Sequence, residues 1–183
     1  MANKMSQYKL ILSEIEHTLN KVDEQKNIKF LDEILKANAI FVAAKGRSSF
    51  VANSFAMRLN QLGKRSYVVG ETTTPSIQED DLLLIVSGSG KTAHLQLLSK
   101  IANQAKANII LISTQSESKI AELSKEVITL PAGTKYDEKG SEQPLGSLFE
   151  QSSQIFLDSI TMELMKEINV SETTMQNNHA NLE

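Results

Sequence analysis

Apolar residues recur along this chain in two alternating rhythms. Tyr8, Ile11, Leu12, Ile15 and Leu19 follow helical spacing and predict an amphipathic helix over 4–21. Ile28, Leu31, Ile34 and Leu35 predict a second helix over 24–37. The opposite faces of both are charged. Neither segment is long enough to be stable alone in water, so both must pack on the rest of the chain or on another subunit. Short unbroken apolar runs follow at 39–44, 66–69, 82–86, 109–112 and 127–130. Such runs, rich in branched side chains, suit strands buried on both faces of a parallel sheet. Helix-period segments at 49–62, 92–106 and 118–125 lie between them. The pattern predicts an α/β fold: a doubly wound, five-stranded parallel sheet flanked by helices. A helix at 147–167 follows, apolar on more than one side through Leu148, Phe149, Ile155, Phe156, Ile160, Met162 and Leu164, which suits deep burial or a subunit contact. The tail, VSETTMQNNHANLE, has no apolar period and is expected to be extended or disordered.

Composition narrows the classes. The 183 residues suit one domain, with 1–38 as packing helices and 171–183 as a tail. All eight glycines and three prolines lie between Gly46 and Gly146, which marks a turn-rich centre. No apolar stretch of about 18 residues predicts a membrane helix, and the first residues carry no signal-peptide pattern. The absence of cysteine excludes disulfides and thiolate chemistry and suits a cytoplasmic protein. A net charge of −3 with both signs interspersed argues against nucleic-acid binding. The three histidines, His17, His94 and His179, are too scattered for a local metal motif, and His17 is expected to face solvent. The run Lys135-Tyr136-Asp137-Glu138-Lys139 reads as solvated loop.

Ligands of open α/β sheets bind beyond the carboxyl ends of the strands. Two loops there carry candidate chemistry. Lys45-Gly46-Arg47-Ser48-Ser49 closes the first strand, and Ser87-Gly88-Ser89-Gly90-Lys91-Thr92 closes the third. The second combines two glycines, three hydroxyls and a helix start, the components of a phosphate cradle. A nucleotide P-loop would need glycine where Ile85 stands. A dinucleotide loop fits Gly88, Gly90 and Ala93 but wants an acid where Ser113-Thr114-Gln115 stand. A phosphosugar cradle needs only what is present, and a ligand-free helix cap is the plainer alternative.

The SGSGKT loop resembles the SGSGET signature of the sugar isomerase (SIS) domain family. KGRSSF resembles the GAGRSG loop of one isomerase branch of that family, and the likeness continues through Phe55–Leu59, GETTTP at Gly70–Pro75, PLGSLFE at Pro144–Glu150 and the terminal HANLE. The resemblance implies reversible conversion of D-arabino-3-hexulose 6-phosphate to fructose 6-phosphate through a cis-enediolate, with no metal or organic cofactor. It further implies a place in the ribulose monophosphate pathway of formaldehyde assimilation, with 3-hexulose-6-phosphate synthase as pathway partner. Together with the over-apolar last helix it implies a homo-oligomer, with a homotetramer as the expected form.

By the same resemblance Ser48, Ser87, Ser89 and Thr92 contact phosphate, helped by the amides of Gly88–Thr92. Gly46 and Arg47 belong to the first ligand loop, and Glu71 and Thr72 shape the sugar site, although a turn fixed by Pro75 also explains them. Glu150 is the implied base; Ser147-x-x-Glu150 also reads as a capping box. His179 is implied in ring opening or proton shuttling, from its own or a neighbouring subunit. Lys91 stands where the family has Glu, and Ala44, Lys45 and Ser49 depart from GAGRSG. A sugar-phosphate-sensing module without turnover, or an isomerase of another phosphosugar, remains open.

Overall fold

The computed structural model describes residues 6–133 and 140–182; the charged run at 135–139 lies outside the described residues. Elements follow the order α1 (Gln7–Leu19), α2 (Glu24–Lys36), β1 (Ile40–Ala44), α3 (Ser48–Gln61), β2 (Ser66–Val68), β3 (Leu82–Val86), α4 (Ala93–Gln104), β4 (Asn108–Ser113), β5 (Glu126–Thr129), α5 (Ser147–Glu167) and α6 (Glu172–Asn177). The five strands form one parallel sheet in the order β2-β1-β3-β4-β5. Every residue of β3, the central strand, is buried, so the unalternated LLLIV run is satisfied on both faces.

Alternate residues of each strand feed two cores. Ile40, Val42, Leu82, Leu84, Ile110 and Ile112 face α1, α2, α3 and α5, where Phe30 stacks on Phe156 with ring centroids 5.9 Å apart. Phe41, Leu83, Ile85, Ile109 and Leu111 face Leu95 and Ala102 of α4. The doubly wound expectation therefore holds, with a heavier layer on one side. Lys29–Glu126 and Lys125–Glu33 ion pairs fasten α2 along the β5 edge.

Three local expectations change. The helix expected at 118–125 is a single 3-10 turn, Ala121–Leu123, because Ser118 caps Ala121 through its Oγ and β5 begins three residues later. The tail is not extended throughout. Ser171 caps Thr174 and starts α6, Met175 packs on the core, and Asn178 Nδ2 donates to the carbonyl of Gln61 at 2.9 Å. Among the residues assigned to apolar helix faces, Tyr8, Leu12, Ile28, Ile155 and Met162 are exposed. His17 faces solvent as expected.

Candidate active site

The chain runs from β1 outward to β2 and then crosses to β3 on the other side of β1. That reversal puts the loops after β1 and β3 side by side, the position where such sheets bind ligands. A cleft of about 350 Å³ opens there. Its walls come from Lys45–Ser48, from Ser87–Ser89 with Thr92, and from Leu145–Ser147 with Phe149 and Glu150.

The loop after β3 is held in shape from behind. The carbonyl of Gly88 accepts from the Thr114 amide (3.0 Å), Ser113 Oγ (2.9 Å) and Thr114 Oγ1 (2.8 Å). Gln115 Nε2 donates to the carbonyl of Ser89 at 2.8 Å. The Ser113-Thr114-Gln115 segment thus braces the cradle at the place where a dinucleotide-binding loop would have its acid. Gly90 adopts φ +61°, and a Cβ there would lie 2.7 Å from Cβ of Ser118, so only glycine fits. Thr92 is the N-cap of α4, yet its side chain makes no capping hydrogen bond. The first amides of α4 lack that partner, which an anion would supply. Ser87 is 5% exposed, with its side chain against the cleft.

Glu150 occupies the first turn of α5, with its side chain 15% exposed. Burial pushes its carboxyl above the ordinary carboxylate value, and the charge and hydrogen bond of Arg47 offset this only in part. Arg47 Nη1 lies 3.0 Å from Glu150 Oε2 and donates to Ser147 Oγ at 2.6 Å. The capping-box reading of Ser147 and Glu150 is not realised: Gly146 is the N-cap, and Ser147 serves Arg47 instead. Gly46, with φ +63°, turns the chain from β1 into α3.

The structure therefore brings Gly46, Arg47, Ser48, Ser87, Gly88, Ser89, Thr92 and Glu150 to one cleft, with Gly90 buttressing it from behind. It does not bring Glu71, Thr72 or His179 there. Glu71 and Thr72 are exposed in a compact turn after β2, where Thr74 Oγ1 donates to the carbonyl of Val68. His179 follows Asn178, which is fastened to the end of α3 away from Ser48. At 1.5 Å per residue, the 14 residues of α3 separate those ends by about 20 Å. His179 does not reach the cleft of its own chain. Sequence reasoning missed Ser147 as the partner of Arg47 and the brace at 113–115, since both depend on contacts between distant segments. Among the described residues, no group of three or more His, Asp or Glu could hold a metal ion.

The cleft thus joins the uncapped start of α4 and a carboxylate of raised pKa at the switch point of a parallel sheet. The SIS domain model matches residues 33–153, and the chain belongs to that family. Within the family it is 41% identical over 162 residues to the 3-hexulose-6-phosphate isomerase of Methanocaldococcus jannaschii, covering 87% of each chain. It is 36% identical to the 3-hexulose-6-phosphate isomerase of Bacillus subtilis, covering 94% of this chain and 95% of that one. A solved Methanococcus jannaschii structure, from which a molecular function of 3-hexulose-6-phosphate isomerase was inferred, superposes with a TM-score of 0.86 at 35% identity. That superposition covers 98% of this chain and all of the other.

Proposed function

We propose that this chain is an isomerase that interconverts D-arabino-3-hexulose 6-phosphate and fructose 6-phosphate. The observation that carries the reading is Glu150: a half-buried carboxylate with a raised pKa, facing the same cleft as the uncapped start of α4. A sensing module would need the cradle but no base. In the proposed reaction the phosphate docks on Ser48, Ser87, Ser89, Thr92 and the amides of Gly88, Ser89 and Thr92, while those of Gly90 and Lys91 donate to the Ser87 carbonyl and Ser89 Oγ. The Glu150 carboxylate removes the proton from C2, beside the C3 carbonyl. The electrons of that C–H bond form the C2–C3 double bond of a cis-enediolate, and the C3 oxygen takes the negative charge. Protonation at C3 and transfer of the O2 proton to O3 leave the carbonyl on C2. In this reading Arg47, 3.0 Å from Glu150 Oε2, stabilises the developing oxyanion, and it limits how far the Glu150 pKa rises. The distant phosphate supplies binding energy that orients the reacting carbons.

The chain works, in this reading, as a homotetramer in the cytoplasm, supplied by 3-hexulose-6-phosphate synthase. Exposed Tyr8 and Leu12 on α1, Phe50 on α3, and Ile155 and Met162 on α5 support self-association. Glu71 and Thr72 take part only if a neighbouring copy completes the sugar site around them. His179 acts across a subunit boundary, on a neighbour's cleft. A coupled assay that supplies the 3-hexulose 6-phosphate and detects fructose 6-phosphate tests the assignment. Glu150→Gln is expected to lower kcat about 10²–10⁴-fold. Near-normal turnover in that variant would remove Glu150 as the base.

A further inference from the structure

Glu14 lies midway along α1, outside residues 33–153 that match the family model. Its carboxylate accepts three hydrogen bonds from one segment far along the chain. The Glu142 amide donates to Oε1 at 2.9 Å, and Ser141 Oγ and Gln143 Nε2 donate to Oε2 at 2.9 and 3.0 Å. Ser141 Oγ in turn accepts from the Gln143 amide, and Gln143 is 8% exposed. Burial alone would push the Glu14 carboxyl up, but these bonds outweigh it and hold the pKa below the ordinary value. The acceptor is therefore a carboxylate at neutral pH, and charge-assisted bonds of this kind are the stronger ones.

What the anchored segment leads into gives the contact its meaning. Two residues after Gln143, Leu145 adopts φ +56° while 78% exposed. A branched side chain in that region is unfavourable, and here it gains little burial in return. The backbone must be held there by its neighbours. The Ser147 amide then donates to the carbonyl of Pro144, and the Glu150 amide to that of Gly146. Ser147 is the residue that binds Arg47, and Leu145, Gly146, Ser147 and Glu150 all line the cleft. We propose that Glu14 is a positioning residue of the candidate active site. By anchoring 141–143 it holds the strained turn at 144–147, and through it the alignment of Ser147, Arg47 and Glu150. The kinetic part of this inference rests on the isomerase reading.

The test compares Glu14→Gln with the reciprocal double variant Glu14→Gln/Gln143→Glu in the full chain. Glutamine at 14 still accepts from the Glu142 amide but presents an NH2 group to the Gln143 amide group. Exchanging the two side chains restores a donor–acceptor match with the carboxylate on the loop side. Amide hydrogen exchange is read over 141–147 and over the sheet, and kcat and KM are measured separately. In Glu14→Gln, exchange over 141–147 is expected to speed up about tenfold while the sheet stays protected. The value of kcat is expected to fall about ten- to hundredfold, more than KM changes, as for a misaligned base. The double variant is expected to return both quantities to within about threefold of the parent.

Unchanged exchange and kcat in Glu14→Gln would overturn the proposal. A folded double variant that restores neither would also overturn it. Should Glu14→Gln fail to fold, the double variant decides. Folding with near-parent kcat supports the anchor, whereas failure to fold would mean that the charge on α1, not its bonds to the loop, is what the fold needs. If the parent protein itself shows no turnover, the isomerase reading fails, and the exchange measurement still tests the anchor.

Discussion

Arg47 holds two contacts at once, an ion pair and a hydrogen bond. It pairs with Glu150 and donates to Ser147, while its own side chain stays half exposed. With Glu150 drawn upward by burial and downward by Arg47, the pH profile should report on both residues. A Glu150 base must be ionised, so kcat/KM is expected to fall as pH drops through its pKa, which burial holds above the ordinary carboxylate value. Replacing Arg47 by Met removes the lowering influence and leaves burial unopposed. The acid limb of kcat/KM in Arg47→Met is expected at higher pH than in the parent. An unchanged or lower limb would show that Arg47 does not set the ionisation of Glu150. At this scale the sequence marked Arg47 and the hydroxyls through motifs at strand ends, and Glu150 through the resemblance carried by PLGSLFE. It did not mark Glu14, Ser147 or Ser113–Gln115 as their supports. Those residues act through partners remote along the chain, and no local spacing encodes such a pairing.

Among the elements, the strands were the most legible. Runs such as LLLIV and IILI have no polar alternation to mislead, and the structure buries them on both faces. Helix faces were legible only in part: Ile15 is buried, but Tyr8 and Leu12 of the same stripe are exposed. Periodicity reports which face is apolar, not whether anything covers it. The tail's helix is not encoded by periodicity, because α6 depends on a serine cap and on Met175 and Asn178 reaching the core and α3, not on an amphipathic stripe. The loop after β3 is held in one shape by Ser113, Thr114 and Gln115. Gly90 has both a left-handed φ and Ser118 against the place of a side chain. Gly90→Ala should therefore destabilise the protein by about 1–3 kcal/mol, read by thermal unfolding. It should also weaken fructose 6-phosphate binding, read by calorimetry. Parent-like affinity in that variant would mean that the loop does not form the phosphate site.

For the whole molecule, the doubly wound order of the sheet is what brings two loops, separated by some forty residues, to one cleft. The strand–helix alternation predicted a doubly wound parallel sheet with ligand loops at the strand ends, but not the strand order that sets β1 beside β3. The proposed association of copies rests on the family resemblance and on excess apolar surface. A groove between α1, α3 and α5, lined by Ile11, Ile15, Phe50, Val51 and Ile155, reaches Arg47 and Glu150 at one end. Light scattering is expected to give a tetramer at micromolar concentration, and a clean monomer would contradict the oligomer. If His179 serves a neighbour, Glu150→Gln and His179→Gln chains, each nearly inactive alone, should regain partial turnover when mixed and reassembled. No gain on mixing would remove His179 from the reaction. Among the described residues, no helix is long and apolar enough to cross a membrane.

NMR of fructose 6-phosphate in D2O tests the proposed reaction and the role of Glu150 together. With the parent protein, signals of the 3-hexulose 6-phosphate should appear and the C3 proton of fructose 6-phosphate should wash out to deuterium. The C1 protons should stay, and Glu150→Gln should slow both changes by the factor seen in turnover. Washout at C1 in place of C3 would identify a different isomerisation. An unchanged spectrum at high protein concentration would contradict catalysis and leave the cleft as a binding site.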